Sequence, residues 1–402
     1  MTNPNLKAIA GRYIDQSENE LIRVSHAIHS CPELGMQEFG AVNVLVEVLA
    51  REGFLVRTGV AGLPTAFVAE FGKLGPEMPA VGFTAEYDAL PGLGHACGHN
   101  IIASSALGAV LCLKRMLAEG FMKGQVKLFG TPAEEGGGGK VIMARAGVFD
   151  GVVAVLAMHP SQKNTVGGSS LAVKSLEIRF HGRPAHAAAA PELGINALDA
   201  IIMTFNSVNA LRQHVKPDVR IHGIITDGGA AANIVPECAA ARIIVRSARR
   251  DYLAEVAAKV ENCARGAALQ TGTTLEVETG FECDDMLECT PLAVLTKANM
   301  ETLGLQVEDL TGKVVPASSD LGNVSYVVPT HECSIEIAPP EVAYHTAAFR
   351  DAAASPAGDL AVLNGAKALA MTAIDLFTSN ENIEEARRAF VLAGGRCHDN
   401  DK

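Results

Sequence analysis

Strand-length apolar runs alternate with helical patterns through the first part of the chain, and that alternation restricts the fold more than any other feature. Val42, Leu45, Val46 and Leu49 follow the i, i+3, i+4, i+7 spacing of a buried helical face. They lie in a helical stretch over 21–54 that Pro32 divides in two. Compact apolar runs predict strands at 65–71, 80–85, 125–129 and 152–157, with a helix at 101–117. Strands alternating with helices imply an α/β layer architecture with a largely parallel sheet, whose chemistry collects at the carboxyl ends of the strands. The middle of the chain has another order. Strand 171–180, helix 196–215, strands 219–225 and 241–245, helix 251–270 and strand 274–278 follow one another. That is the β-α-β-β-α-β order of a split βαβ, ferredoxin-like sandwich of about 110 residues. The expected organisation is a discontinuous α/β domain, 1–170 and 287–402, with an inserted domain at 171–286. A final helix near 352–377 returns to the main sheet.

Composition narrows the class. Hydrophobic residues make up 48% and charged residues 19% of 402, which excludes a disordered chain. A net charge of −12 argues against a general nucleic-acid binder and against docking on anionic lipid. The cysteines number nine, an odd count with no C-x-x-C pair, so a reducing, cytoplasmic compartment is expected. Residues 1–21 lack the apolar centre of a signal peptide, and no apolar run approaches the roughly 18 residues of a membrane span.

The chemistry lies in short motifs just past the predicted strands. Gly94-His95-Ala96-Cys97-Gly98-His99-Asn100 sets thiolate and imidazole one residue apart in a loop that two glycines let turn tightly. Read alone, it serves equally a metal-binding loop or a buried cysteine flanked by turn histidines. Thr131 to Gly139 sets two adjacent carboxylates, Glu134 and Glu135, before four glycines. One carboxylate can bind metal while the other acts as general base. A solvated acidic turn would not need the glycines. A phosphate-binding loop is excluded, since Glu134 and Val141 stand where its pattern needs Gly and Ser or Thr. His159 after the strand at 152–157 and His345 late in the chain are each unremarkable alone. Together these groups could hold two divalent metals. In the inserted domain, His186 follows Gly182-Arg183-Pro184-Ala185, and Asn233 lies in a turn from which an amide could donate to a developing oxyanion. Arg242 and Arg246 alternate on one strand, as surface charges or as holders of a substrate carboxylate.

The ordered set His29 to Gly35, Glu86 to Pro91, His95-Ala96-Cys97-Gly98-His99, Glu134-Glu135, His159-Pro160, Gly182 to His186 and His345 resembles the metal-dependent peptidases and amidohydrolases that include aminoacylases and carboxypeptidase G. The likeness spans nearly the whole chain. Within the family, the cysteine loop, Ser319 to Ser325 and Lys367 to Leu376 are similar to the branch of aminobenzoyl-glutamate hydrolases and cytosolic dipeptidases. The resemblance implies Cys97, His99, Glu135, His159 and His345 as metal ligands, Glu134 as general base and Asp88 as the group that orients a ligand. It implies that the inserted domain is a lid and dimerisation domain. His186 would then reach a neighbouring subunit's active site, and Asn233 the scissile carbonyl. Asn100 departs from the Asp of many members, and Glu86-Tyr87-Asp88 from their Asp-x-Asp. Both positions bear on the groups that orient the ligands and on which metal is held.

The expected function is hydrolysis of the amide bond of an N-acyl or N-aroyl amino acid or a dipeptide. The cofactors are divalent metals, two per subunit, zinc or manganese with cobalt or nickel admissible. The assembly is a homodimer or higher homo-oligomer without nucleic acid or membrane. Two rivals stand: a deaminase-type hydrolase of an aromatic amine at the same site, and an inactive binding homologue. A structural zinc site is excluded by order, because the donors are spread from residue 97 to 345.

Overall fold

The structure, a computed structural model, describes residues 4–75 and 78–396. It divides into two compact units. The first comprises Met1–Ser169, Met286–Val315 and Asp320–Lys402; the second comprises Ser170–Asp285 and Pro316–Ser319.

The first unit contributes β1 (Leu55–Thr58), β2 (Phe67–Gly72), β3 (Ala80–Ala85), β4 (Gln125–Gly130), β5 (Ala154–Ser161) and β6 (Thr165–Val166). The second contributes β7 (Ala172–His181), β8 (Arg220–Asp227), β9 (Cys238–Ser247) and β10 (Thr274–Cys283). The chain then returns to the first unit for β11 (Glu308–Asp309) and β12 (Thr330–Glu336). Among the described residues the main sheet runs β1-β2-β4-β3-β5-β12-β6-β11. Its centre, β4-β3-β5-β12, is parallel, and antiparallel pairs lie toward the edges. The fold class is therefore the expected one.

Alternation along the strands feeds two apolar layers. Val126, Leu128, Leu156 and Met158 join the larger core with helices His99–Ala118 and Pro356–Thr378. Phe129, Val155 and Ala157 face the other way, onto Met143, Phe149, Leu321 and Val324. Those two helices correct one expectation. Each is long and apolar enough to cross a membrane, with mean hydropathies of 1.6 and 1.4 over their apolar stretches, although 72% and 78% of those stretches are buried in the protein. They are core helices, wrapped by the sheet and by their neighbours.

Two differences from the sequence reading bear on the site. Strand β5 continues to Ser161, so His159 lies within it rather than past its end. The extension exists because β12 pairs alongside, Ser334 opposite His159. Strand β12 (THECSIE) has no compact apolar run of the kind that marks the other central strands; only Cys333 and Ile335 supply apolar side chains, between Glu332, Ser334 and Glu336. Helices Gly139–Arg145 and Leu321–Ser325 were also unforeseen.

The second unit is a four-stranded antiparallel sheet, β10-β7-β9-β8. Its core joins the strands to helices Ala197–Leu211 and Arg250–Thr271, giving the predicted β-α-β-β-α-β order. Strand β8 is an edge, and Ile224 and Ile225 on it are 62% and 45% exposed.

Buried polar groups also tie the N-terminal helix Pro4–Gln16 to the core. Lys7 Nζ lies 2.7 Å from Asp375 and donates to Asn299 Oδ1 at 2.6 Å. Asn299 Nδ2 in turn donates to Asp375 at 2.9 Å. Lys7→Met would leave a buried carboxylate without its cation. We expect a loss of about 3 kcal/mol, read as a lower urea midpoint at unchanged slope.

Candidate active site

Asp88 follows β3 and carries the first link of the site. Its Oδ1 accepts from His99 Nδ1 at 3.0 Å, and its Oδ2 accepts from the Glu135 backbone N–H at 2.9 Å. One buried carboxylate thus fixes both the cysteine loop and the acidic turn. Burial pushes its pKa up, but the facing His99 and these hydrogen bonds hold it down at about 2.

The cysteine loop is closed by hydrogen bonds between Leu90 and Gly94 and from the Gly98 N–H to the His95 carbonyl. Gly98 has φ 81° and begins the helix whose first residue is His99. A Cβ there would stand 2.5 Å from Pro160 Cγ, so only glycine lets the loop reach β5. The preceding Glu33 supports the same corner. Its carbonyl accepts from Ala89 N–H at 2.8 Å, and its carboxylate accepts from Gly40 and Ala41 N–H, each at 2.9 Å.

The acidic turn leaves β4. Ala133 has φ 57°, and its N–H donates to the buried Glu38 at 2.8 Å. Its carbonyl accepts from Gly137 and Gly138 N–H at 3.0 and 2.8 Å. A Cβ on Gly139 would lie 1.9 Å from the Pro132 carbonyl oxygen. The glycine run is therefore a requirement of close backbone approach. It presents Glu134 and Glu135 half-buried rather than solvated.

Among the described residues the candidate donor atoms converge. Cys97, His99 and His159 each bring one donor atom within 4.8 Å of the others; so do Cys97, Glu135 and His345. Cys97 belongs to both groups. The two buried imidazoles are oriented alike. His99 donates from Nδ1 to Asp88, and His159 donates from Nδ1 to the Pro160 carbonyl at 2.7 Å, so that Nε2 of each ring faces the cluster. His159 Nε2 lies 3.5 Å from Cys97 Sγ, and His345 Nε2 lies 3.3 Å from Glu135 Oε1. His345 sits at φ 60°, its N–H bonded to the Ala96 carbonyl at 3.0 Å. His99 Nε2 and Glu135 Oε1 are buried without a hydrogen-bond partner. Burial drives the Cys97 thiol well up. Orphaned acceptors around a thiol that only a cation would ionise are the donor set of a divalent, borderline-soft metal, so the residues fit such a centre.

The remaining expectations are placed as follows. His95 is not in either group; it is buried with its ring centroid 6.1 Å from that of His29, and burial lowers its pKa to about 3. Asn100 points into the core, donating to Ser25 Oγ at 2.8 Å and the Ala353 carbonyl at 3.0 Å. In the second unit, His186 and Asn233 lie on adjoining turns joined by the Ala187 N–H to Asn233 carbonyl bond of 3.0 Å, and both are exposed. Arg242 pairs with Glu177 on the neighbouring strand, and Arg246 donates to Ser318 Oγ at 2.6 Å. Three groups with no role in the sequence reading surround the cluster: Glu86, Lys140 and Asp320 form a buried ionic triad. Asp320 was visible as part of a motif, but nothing in sequence joins it to Lys140.

Residues 172–271 match the peptidase dimerisation domain family. The chain is 38% identical to a mouse Xaa-Arg dipeptidase over 96% of its own length and 92% of the relative's. It is 33% identical to a p-aminobenzoyl-glutamate hydrolase component of Escherichia coli, over 68% of this chain and 60% of that one. Among solved structures, a dinuclear metal-binding peptidase of the M20 family from Bacillus subtilis superposes with a TM-score of 0.70 at 21% identity, covering 90% of this chain and 99% of that one. The chain belongs to the M20 family of metal-dependent peptidases and amidohydrolases. It is accordingly a metal-dependent hydrolase of C–N bonds.

Cys97→Ser replaces the donor common to both groups by a poor soft ligand. We expect the purified variant to carry less than half the metal of the parent by elemental analysis, with folding unchanged by circular dichroism.

Proposed function

We propose that this chain is a dinuclear metallopeptidase that cleaves the amide bond of dipeptides. The observation that carries the reading is the convergence of Cys97 with His99 and His159 and also with Glu135 and His345, two donor sets that could each hold a divalent cation. Cys97, His99 and His159 would hold one cation, and Cys97, Glu135 and His345 the other. The donor set suits zinc or manganese, with cobalt or nickel admissible. Bound divalent metal supplies Lewis acidity, acidifying water near neutral pH and polarising a carbonyl.

The chain's own groups do the rest. Glu134, next to the ligand Glu135, takes the proton of the attacking water and returns it to the leaving amine. Burial, and then the nearby charges of Glu86 and Asp320, raise its carboxyl well above the usual range, which gives it the basicity the task needs. Asp88 keeps His99 in its ligating tautomer. His186 Nδ1 accepts from the backbone N–H groups of Ala188 and Ala189 at 3.3 and 3.1 Å, so its proton is on Nε2. In a neighbouring subunit's active site, which the family resemblance implies His186 reaches, that N–H, with Asn233, is the proposed donor to the developing oxyanion. Arg242 and Arg246 are engaged by Glu177 and Ser318, which favours surface roles over substrate binding.

Dipeptides are preferred over N-aroyl amino acids because the mouse and human Xaa-Arg dipeptidases each align with 96% of this chain, against 68% for the aminobenzoyl-glutamate relative. We further propose a catalytic domain of 1–170 and 287–402 and a lid and dimerisation domain of 171–286. The free thiols of Cys31, Cys97, Cys112, Cys238, Cys263, Cys289 and Cys333 support a reducing, cytoplasmic location; Cys397 lies outside the described residues. A homodimer through the exposed edge of β8 suits the dimerisation-domain match.

Metal-loaded protein should turn over Xaa-Arg dipeptides with higher kcat/KM than N-acyl amino acids or N-aroyl-glutamates. No turnover of any amide on that panel would sink the reading. Glu134→Gln should lower kcat by about 10²–10⁴-fold while metal content survives. Ile224→Asp should halve the mass measured by light scattering, by setting a charge on the edge that is proposed to pair.

A further inference from the structure

Lys140 is, among the described residues, the one Lys or Arg side chain with no solvent exposure. It opens the short helix Gly139–Arg145 that follows the acidic turn. Its ammonium lies 2.8 Å from Glu86 Oε1 and is paired with Asp320 Oδ1. Asp320 Oδ2 also accepts from the Lys140 backbone N–H at 2.9 Å, so the lysine is fixed at both ends. The other oxygen of Glu86 faces Nε2 of His99 at 3.5 Å, the nitrogen assigned above to a metal.

This arrangement has a specific consequence for cation binding. Glu86, His99 and Glu134 form a third group whose donor atoms lie within 4.8 Å of one another, overlapping the first at His99. By donor count alone it could compete for metal and draw in the general base. A tethered ammonium already satisfies Glu86 and supplies positive charge on that side. Burying a lysine with two carboxylates is costly and would be replaceable by apolar packing if stability were its only return.

We propose that Lys140 is a positioning residue: clamped by Asp320, it binds Glu86 and withholds that carboxylate from metal, so that the cluster takes two cations and Glu134 stays a base rather than a ligand. The inference rests on the dinuclear reading given above. Glu86 acts through Lys140 on one side and on the imidazole of His99 on the other. Its effect on the reaction runs through the metal ligand and not through substrate.

Chelator-stripped protein titrated with Co²⁺, followed by its absorption spectrum, tests this apart from activity. The parent should saturate at two equivalents. Lys140→Met should take up a further equivalent with an altered visible spectrum. After reloading, its kcat should fall about 10–100-fold with KM within about twofold, as expected for loss of a group that orients a ligand. Lys140→Arg should restore the two-equivalent endpoint, and so should Glu86→Gln/Lys140→Met, in which the unpaired carboxylate is gone. Should Lys140→Met fail to fold, Glu86→Gln keeps the Lys140–Asp320 pair; it should still shift the Co²⁺ spectrum and lower kcat about tenfold. Parental endpoint, spectrum and kcat in the folded variants would overturn the role of Lys140 while leaving the dinuclear reading intact. A parent that binds no Co²⁺ would overturn that reading first, and this inference with it.

Discussion

The carboxylate of Asp88 is the constraint on which the site depends. It accepts one hydrogen bond from the first residue of a core helix and another from the backbone of the acidic turn. Two loops that leave different strands are thereby held at one spacing. Its two oxygens are both engaged, so the group is neither a spare acceptor nor available as a ligand. Its pKa, held at about 2 against burial, keeps it an anion at any working pH. The tautomer of His99, the placement of Glu135 and the distance between the two donor groups all follow from that single anion.

Around it the electrostatics are arranged in layers. His99 Nε2 and Glu135 Oε1, which make no hydrogen bond among the described residues, face inward, where a cation would complete them. Histidine Nδ1 atoms are tied outward to a carboxylate and a carbonyl. On the far side the Glu86–Lys140–Asp320 triad closes the charge without access to water. Glu332 on β12 shares this acidic neighbourhood. Burial and then Glu86 raise its pKa to about 8, so it adds little negative charge at neutral pH.

Much of this was legible in the sequence, and the rest was not for identifiable reasons. The parallel centre of the sheet and the inserted sandwich could be read because their strands and helices lie in periodic apolar runs, and the proposed metal donors drew notice because several lie in glycine-marked loops. Strand β12 escaped because it has only two apolar residues, Cys333 and Ile335, and no compact apolar run, and with it went the true extent of β5 around His159. The triad escaped for another reason: Lys140 and Asp320 are far apart in the chain and meet only through the packing of helices Gly139–Arg145 and Leu321–Ser325. Pairwise burial of charge leaves no local signature. Asn100 shows the converse. A residue next to the proposed ligand His99 in sequence turns into the core one step along the helix, toward Ser25 and Ala353.

The position of β12 also has a consequence for how the protein is made. It lies between β5 and β6 in the sheet, yet it is translated only after the whole second unit. Until then β5, the strand that carries His159, presents an open edge. Such an edge invites pairing with other chains during synthesis, and closing it requires a contact of high sequence separation. The rate-determining event of folding is therefore expected in the capture of β12. A nascent chain arrested before residue 330 would be the species most prone to aggregate.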